Sequence, residues 1–571
     1  VASSGEIANA SGAERFIGAL HRHGVRFMFG QSIPSRFYLV TDDFGIKQIA
    51  YRTENAGAVM ADAYSRVSGR VAVVTGQNGP AATLLVAGLA EALNASIPMV
   101  AMVQEVPRID ADRNAFQELD QLELFKGSCK WLKRVDDITR IDDYVDMAFT
   151  AAASGRPGPA VLLCPKDMID LSSVPRSDRV GSLGEYPLDR PVAETARIEE
   201  AAALLAGAER PLIYAGGGVH LSGATAELAH LQETAHLPVA TTTMGKGGVD
   251  EGHGLSLGVI GYYMGTNSAT KFMRPLVETA DVILLIGNRT NQNGTDSWTL
   301  LPKGARYIHI DIDGQEIGRN YEAMRLQGDA KATLEALTEA LGRHDLSKRA
   351  AARPQVAAAI ADAKAKHIKE VAPLATSTAQ PIRPERMMAD VATILTPEHI
   401  VVADASYASI WICNNLRSLA PGMRFLTPRG MAGLGWGLPM ALGAKLARPE
   451  APIYCLVGDG GFAHVWSELE TARRHNLNVV VSVLSNSHLG FQKHAEEVRY
   501  GAHTDAVDID PIDHAAIARA CGLYGERIER PEDYLPALEA AFTADRTTVL
   551  DVIVDPDAYP PITGFESRGE R

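Results

Sequence analysis

Short runs of β-branched and aliphatic residues alternate along this chain with longer stretches whose apolar positions recur at helical spacing, and the rhythm repeats in three segments. It predicts parallel strands buried on both faces, with helices as crossovers. The first segment offers strands from Phe27 to Phe29, Val71 to Val74, Met99 to Met102 and Ala160 to Leu163. The stretch from Leu171 to Val192, rich in Ser, Pro, Gly and charge, reads as a linker. The second has strands from Leu212 to Tyr214, Val239 to Ala240, Val282 to Ile286 and Tyr307 to Ile310, then a helix from Ala330 to Leu341. A polar, Ala-rich stretch from Gly342 to Pro384 predicts a helix near Val356 to Val371 and an extended linker from Ala372 to Pro384. The third has strands from Ile400 to Val402, Ile453 to Val457, Val479 to Leu484 and Val549 to Val554. Its helical stretches run from Gly437 to Leu446, Val465 to His475 and Asp513 to Ala520.

The expected fold is therefore α/β, with three doubly wound domains of mostly parallel sheet at residues 8–175, 193–345 and 375–561. A chain of 571 residues is too long for one core, which agrees. A formal charge of -14 argues against a general binder of nucleic acid or anionic membrane. The five cysteines show no CxxC spacing, and Cys164 and Cys455 fall in apolar strands, so reduced thiols in a cytoplasmic protein are expected. No apolar run is long enough to span a membrane, and the start Val1-Ala2-Ser3-Ser4-Gly5 lacks the pattern of a signal peptide.

The chemistry concentrates where the strand ending at Val457 runs into Gly458-Asp459-Gly460-Gly461, and where the next strand runs into Ser485-Asn486-Ser487-His488. Strand ends collect ligands in open parallel sheets, so a carboxylate and an amide oxygen 27 residues apart would meet on one hard cation. The glycines permit close backbone approach, and the helix that follows turns its N–H groups toward an anion. Mg²⁺ bridging a diphosphate suits both features.

This wording resembles the GDG…NN motif of the thiamine-diphosphate-dependent enzymes, specifically their acetolactate synthase-like, three-domain group of the pyruvate oxidase and decarboxylase type. The penultimate Asn of that motif is Ser485 here, while Asn486 keeps the metal position. The resemblance runs from about Gly12 to Pro561. It implies a first and third domain built alike, a Rossmann-like middle domain, and His488 as a metal ligand through its backbone carbonyl. Glu54, opening Thr53-Glu54-Asn55-Ala56-Gly57, matches the catalytic carboxyl that hydrogen-bonds the cofactor's pyrimidine. Gly79 in Gly76-Gln77-Asn78-Gly79-Pro80 matches a cofactor-side turn, and Gln117 a polar contact to the reacting groups. Gly433 and Leu434 match the segment with an aliphatic wedge under the cofactor, and Tyr407, Ala408, Leu489 and Gly490 fall in its diphosphate-side loops.

By the same resemblance the middle domain would take FAD, with ADP or nothing as alternatives, at Gly216, Gly217, Thr243, Met244, Gly265, Thr266, Gly287, Arg289, Asp311 and Ile312. The substrate pocket departs from the family. Gln31-Ser32-Ile33-Pro34 replaces a Gly-rich turn, the usual Gln-His pair is absent after Ser406, and Ala495 stands where the family has Trp. Ser32, Ile33, Gln117, Phe491 and Gln492 are the pocket candidates. Lys493 could meet an anionic substrate, although a solvated Lys is the commoner case on a helix.

The implied activity is a carboligase or lyase acting on 2-ketoacids, acyloins or α-hydroxyketones through a C2-bound enamine. The alternatives are a C–C hydrolase or 2-hydroxyacyl-CoA lyase or decarboxylase on the same scaffold and, outside enzymes, a non-catalytic cofactor-binding homologue. The family assembles as at least a homodimer and often a homotetramer.

Overall fold

A computed structural model describes residues 10–172, 174 and 177–566. Val1 to Gly5 and the expected limits at residues 8 and 175 lie outside the described residues.

Three six-stranded sheets form, all of whose strand pairs are parallel. The first contains β1 (Phe27–Phe29), β2 (Lys47–Ile49), β3 (Ala72–Gly76), β4 (Met99–Glu105), β5 (Trp131–Arg134) and β6 (Pro159–Pro165), in the order β2-β1-β3-β4-β6-β5. The second contains β7 (Pro211–Ala215), β8 (Val239–Thr241), β9 (Ser256–Val259), β10 (Val282–Ile286), β11 (Arg306–Asp311) and β12 (Ala323–Gln327), in the order β12-β11-β10-β7-β8-β9. The third contains β13 (Ile400–Ala403), β14 (Arg424–Leu426), β15 (Ile453–Gly458), β16 (Val480–Ser485), β17 (Tyr524–Ile528) and β18 (Thr548–Ile553), in the order β14-β13-β15-β16-β18-β17. The first and third sheets thus share one topology, and the middle one has the Rossmann order.

By compactness the chain divides into two units. One comprises residues up to Asp189 with Pro428–Glu450 and Val465–Leu477, so two helices of the third segment, Gly437–Ala447 and Glu468–Arg474, belong to it. The other comprises Arg190–Thr427, Ala451–His464 and the chain from Asn478 on.

Two expectations change. The Ala-rich helix runs over Ser347–Ala375, through Pro354 and Pro373, and extends past both expected ends. Alanine's helix propensity carries it, and its first turns are anchored where Arg349 donates to the Ala208 carbonyl (2.9 Å) and Arg353 pairs with Glu233 (2.7 Å). The Leu171 to Val192 stretch has no helix or strand among its described residues, but Leu183, Tyr186 and Leu188 pack on the first core, so it is held as a strap.

Candidate active site

The order of the third sheet reverses between β13 and β15, and ligands of open α/β sheets sit outside the carboxyl ends of strands at such a point. The chain leaves β13 through Ser406, a non-glycine residue at φ 64°, into the helix Tyr407–Asn415. It leaves β15 into the short helix Asp459–Ala463, and β16 through Asn486 toward the helix Gly490–Tyr500. Adjacent strands therefore bring three chain turns to one end of the sheet, and main-chain N–H groups at helix starts attract anions.

Asp459 is buried. Its Oδ2 accepts the N–H of Asn486 (3.0 Å) and of Ser487 (2.7 Å), and its Oδ1 accepts that of Gly460 (2.8 Å). Burial pushes its pKa up to about 6, against these hydrogen bonds, so a nearby cation would relieve a real electrostatic cost. The Asn486 Oδ1 accepts the His488 N–H at 3.1 Å. The His488 side chain turns to Asp508 (3.0 Å), which leaves its carbonyl as the group to offer a metal. Carboxylate, amide and carbonyl oxygens form the hard donor set that suits Mg²⁺ with phosphate and water completing the shell. Among the described residues no cluster of three His, Cys, Asp or Glu side chains could hold a metal, so any cation here depends on these mixed oxygens.

Close packing explains Gly460 and Gly490. A methyl at Gly460 would meet Leu489 Cδ2 at 2.6 Å, and one at Gly490 would meet the Tyr407 ring at 3.0 Å and Asn486 Nδ2 at 3.2 Å. Gly458 has open space where its side chain would be, and Gly461 is buried. Ser485, the departure from the motif, donates its hydroxyl to Asp551. The Tyr407 hydroxyl shares a 2.8 Å hydrogen bond with His494 Nδ1, which ties the helix Tyr407–Asn415 to the helix Gly490–Tyr500. That side chain is therefore committed, and Ala408 is buried with no polar group, so these two residues have only main-chain atoms to offer a diphosphate.

In the other unit, Thr53 caps the helix Glu54–Ser68, its hydroxyl accepting the Ala56 N–H at 3.4 Å. Glu54 is half-buried, and burial raises its pKa. The helix is pressed between two others: a methyl at Gly88 would collide with Ala58, and one at Gly443 with the Met60 carbonyl. Two carboxylates absent from the sequence expectation organise the surroundings. Glu468, fully buried, accepts the N–H groups of Arg52 and Thr53. Glu91 pairs with Arg66 (3.3 Å) and accepts the N–H groups of Gly430 and Met431, fixing the loop that leads to Gly433 and Leu434. A lone acid within the apolar run Leu84 to Ala95 was the available signal for Glu91. Gly433 lies against the Trp436 ring, and Leu434 is partly buried.

Gly79 (φ 73°) and Gln117 (φ 60°) are in contact, since a methyl on Gly79 would meet Gln117 Cβ at 2.9 Å. The Gln77 amide donates to Gln117 Oε1 (2.7 Å), and Asn78 donates to the Gln117 carbonyl (3.0 Å) while accepting from Gln104 (2.9 Å). Ile33 and Gln117 line one cavity of about 480 Å³. It lies at the carboxyl ends of β1, β3 and β4, where the first sheet reverses its order. Ser32 is exposed nearby in sequence and does not line it.

In the other unit, Phe491 packs on Phe565, with ring centroids 5.1 Å apart, and Gln492 turns outward to Glu496 (2.9 Å). Lys493 corrects the expectation of a solvated side chain. It is buried and reaches Asp557 at 3.2 Å, because its aliphatic stem lies in the protein while the ammonium meets a surface carboxylate.

In the middle sheet, Gly216 and Gly218 are glycine because the chain packs on itself. Methyls there would collide with Gly287 and Asn288, and one at Gly217 would touch Met244. The Thr266 N–H, beside Gly265, is taken by the Glu566 carboxylate, and Thr243 donates to Tyr263 (3.1 Å). Arg289 follows β10, which borders that sheet's reversal between β7 and β10, and Asp311 ends the next strand, β11, with Ile312 just beyond it.

Comparison with known proteins finds three family matches in chain order. They are "Thiamine pyrophosphate enzyme, N-terminal TPP binding domain" over residues 10–124, "central domain" over 198–337 and "C-terminal TPP binding domain" over 404–552. Among curated proteins, a probable acetolactate synthase large subunit of Methanococcus aeolicus is 33% identical, covering 96% of this chain and 92% of its own. The acetolactate synthase large subunit of Parasynechococcus marenigrum is 32% identical, covering 98% and 90%. The acetolactate synthase isozyme 2 large subunit of Escherichia coli is 30% identical, covering 95% and 96%.

Proposed function

Since the chain belongs to the thiamine pyrophosphate enzyme family, we propose that it joins or cleaves a carbon–carbon bond next to the carbonyl of a 2-ketoacid, an acyloin or a related α-hydroxyketone. The observation that carries this reading is the meeting of Asp459, Asn486 and the turns after β13 and β16 at one sheet end. Asp459, Asn486 and the His488 carbonyl would hold Mg²⁺, and the main chain at Tyr407 and around Gly490 would take the diphosphate. When bound, thiamine diphosphate supplies an acidic thiazolium carbon that serves as nucleophile and electron sink. Glu54 would hydrogen-bond the pyrimidine; burial favours its protonated form, the form that donates. Gln117 would orient the substrate carbonyl, its own Oε1 being held by Gln77.

Acetolactate formation, named for the relatives, is one member of this class, and the replaced loop at Gln31 to Pro34 with Ala495 favours other substrates. FAD in the middle sheet is a further proposal, with ADP or no ligand as alternatives. Its support is the Rossmann order and the position of Arg289 and Asp311, since the glycines are accounted for by chain packing. A homodimer or homotetramer is proposed as well, supported by exposed Leu84, Ile109 and Met431. No helix among the described residues is long and apolar enough to cross a membrane, and a cytoplasmic location is proposed with it.

The test is a panel of ketoacids, acyloins and aldehydes incubated with thiamine diphosphate and Mg²⁺ and followed by mass spectrometry, with Glu54→Gln alongside. The variant should bind cofactor and lose turnover. Undiminished turnover would remove Glu54 from the chemistry, and cofactor binding with no turnover on any substrate would favour a non-catalytic homologue. A flavin absorbance spectrum of the purified protein decides the FAD proposal.

A further inference from the structure

The cavity of about 480 Å³ in the first unit is far from featureless. Its apolar lining comes from Ile33 and Val106, with Leu39 and Phe116, both largely exposed, beside them. Its polar wall comes from Gln77, Asn78, Gln104 and Gln117, joined by hydrogen bonds that fix which atoms face the space. Gln117 Oε1 accepts from Gln77, and the Gln117 NH₂, a donor, has no partner among the described residues.

Four charged residues line the same space: Arg36, Asp110, Lys166 and Asp170. Lys166 and Asp170 pair with each other. Arg36 follows Ser35 at the start of the helix Ser35–Tyr38, directly after the Gln31 to Pro34 loop that replaces the family's Gly-rich turn. Among the described residues it makes no ion pair or side-chain hydrogen bond. An unpaired guanidinium, a donor amide and an apolar wall around one cavity form a receptor for a carboxylate on an apolar body, because a planar fork of N–H donors matches carboxylate oxygens in pairs. Asp110, the other unpaired charge, would repel a second carboxylate.

We propose that Arg36 is the specificity-determining anchor of this cavity, and that the carbonyl substrate is a monoanion whose carboxylate lies apart from the reacting carbonyl on an aliphatic or aromatic body. The inference rests on the carbonyl-substrate reading above and names the substrate's class. Cavity size points the same way, since pockets of roughly 300–1,000 Å³ house ligands well beyond three carbons.

The probes are 4-formylbenzoate and its neutral counterpart 4-(hydroxymethyl)benzaldehyde, titrated calorimetrically into the holoenzyme with thiamine diphosphate and Mg²⁺. The parent should bind the charged aldehyde about tenfold more tightly, the order expected of a charge-assisted pair open to water. Arg36→Gln should abolish that preference, leaving affinity for the neutral aldehyde and for thiamine diphosphate unchanged. Equal binding of the two aldehydes by the parent, or a preference that survives Arg36→Gln, would overturn the proposal. Turnover of each aldehyde with pyruvate as donor is measured in the same samples. A protein that turns over carbonyl substrates without an Arg36-dependent preference sinks this proposal alone, whereas an Arg36-dependent preference in a protein with no turnover sinks the catalytic reading and leaves the site.

Discussion

The Glu468 carboxylate accepts the Thr53 N–H at 3.0 Å, so a residue 415 positions further along the chain closes the entry to the helix that begins with Glu54. It also accepts the Arg52 N–H (3.1 Å) and the Thr471 hydroxyl (2.7 Å), and it is fully buried. Each buried donor left without a partner costs about 1–3 kcal/mol. Glu468→Ala should therefore lower the Tm by several degrees and reduce turnover more than cofactor affinity, because Glu54 loses its fixed position. Thermal unfolding with parallel kinetics decides it; a variant as stable and active as the parent would remove the clamp from the account.

Gly443 allows a helix to approach the Glu54 helix until no methyl fits beside the Met60 carbonyl. Gly443→Ala should destabilise by about 1–3 kcal/mol, the usual cost of overpacking, despite alanine's better helix propensity. Gly207→Ala, at the end of a helix with open space around it, is the control and should be near neutral. Urea midpoints of the two variants should differ in that order.

Asp459 carries its charge at a cost in the absence of a cation, since burial raises its pKa to about 6. Asp459→Asn turns an NH₂ toward at least one of the N–H groups the carboxylate now accepts, so it should cost the metal-free fold about 1–3 kcal/mol while weakening Mg²⁺-dependent binding of thiamine diphosphate by about a hundredfold, as loss of one charged hard ligand implies. Fluorescence titration with and without Mg²⁺ checks both halves. Undiminished affinity would move the metal elsewhere.

His220 and His309 are held neutral by burial, their pKa values lowered to about 3 and about 4. In the unfolded chain they take up protons below the ordinary value of 6.5. The folded state then binds fewer protons, so their contribution is complete above pH 6.5 and is lost as pH falls toward 4. Each should remove on the order of 1 kcal/mol per pH unit across that window. Stability from denaturant titrations at pH 7 and pH 5 should show the loss, and replacing His220 by Leu should shrink it.

The legible and hidden parts of the fold divide in the same way in every sheet. All four inner strands of each sheet fall where the apolar runs predict, and the strands that escaped are the two edges: β2 and β5, β9 and β12, β14 and β17. An inner parallel strand is covered on both faces and reads as a continuous apolar run, as in Val282-Ile283-Leu284-Leu285-Ile286. An edge strand has one neighbour and tolerates polar residues, as in Tyr524-Gly525-Glu526-Arg527-Ile528, where only Ile528 is buried. Lys493 was hidden for a related reason: whether its ammonium meets water or Asp557 depends on a segment 64 residues away.

The sequence by itself determined the three parallel sheets and the carboxylate and amide at Asp459 and Asn486, because burial pattern and turn chemistry are local and leave their mark on neighbouring residues. Only the tertiary structure decided what surrounds them. Glu468 over Thr53, Glu91 under Gly430 and His494 against Tyr407 are pairings between distant segments, and Arg36 and Gln117 line one cavity, all set by strand order and helix packing, to which no local pattern of residues corresponds.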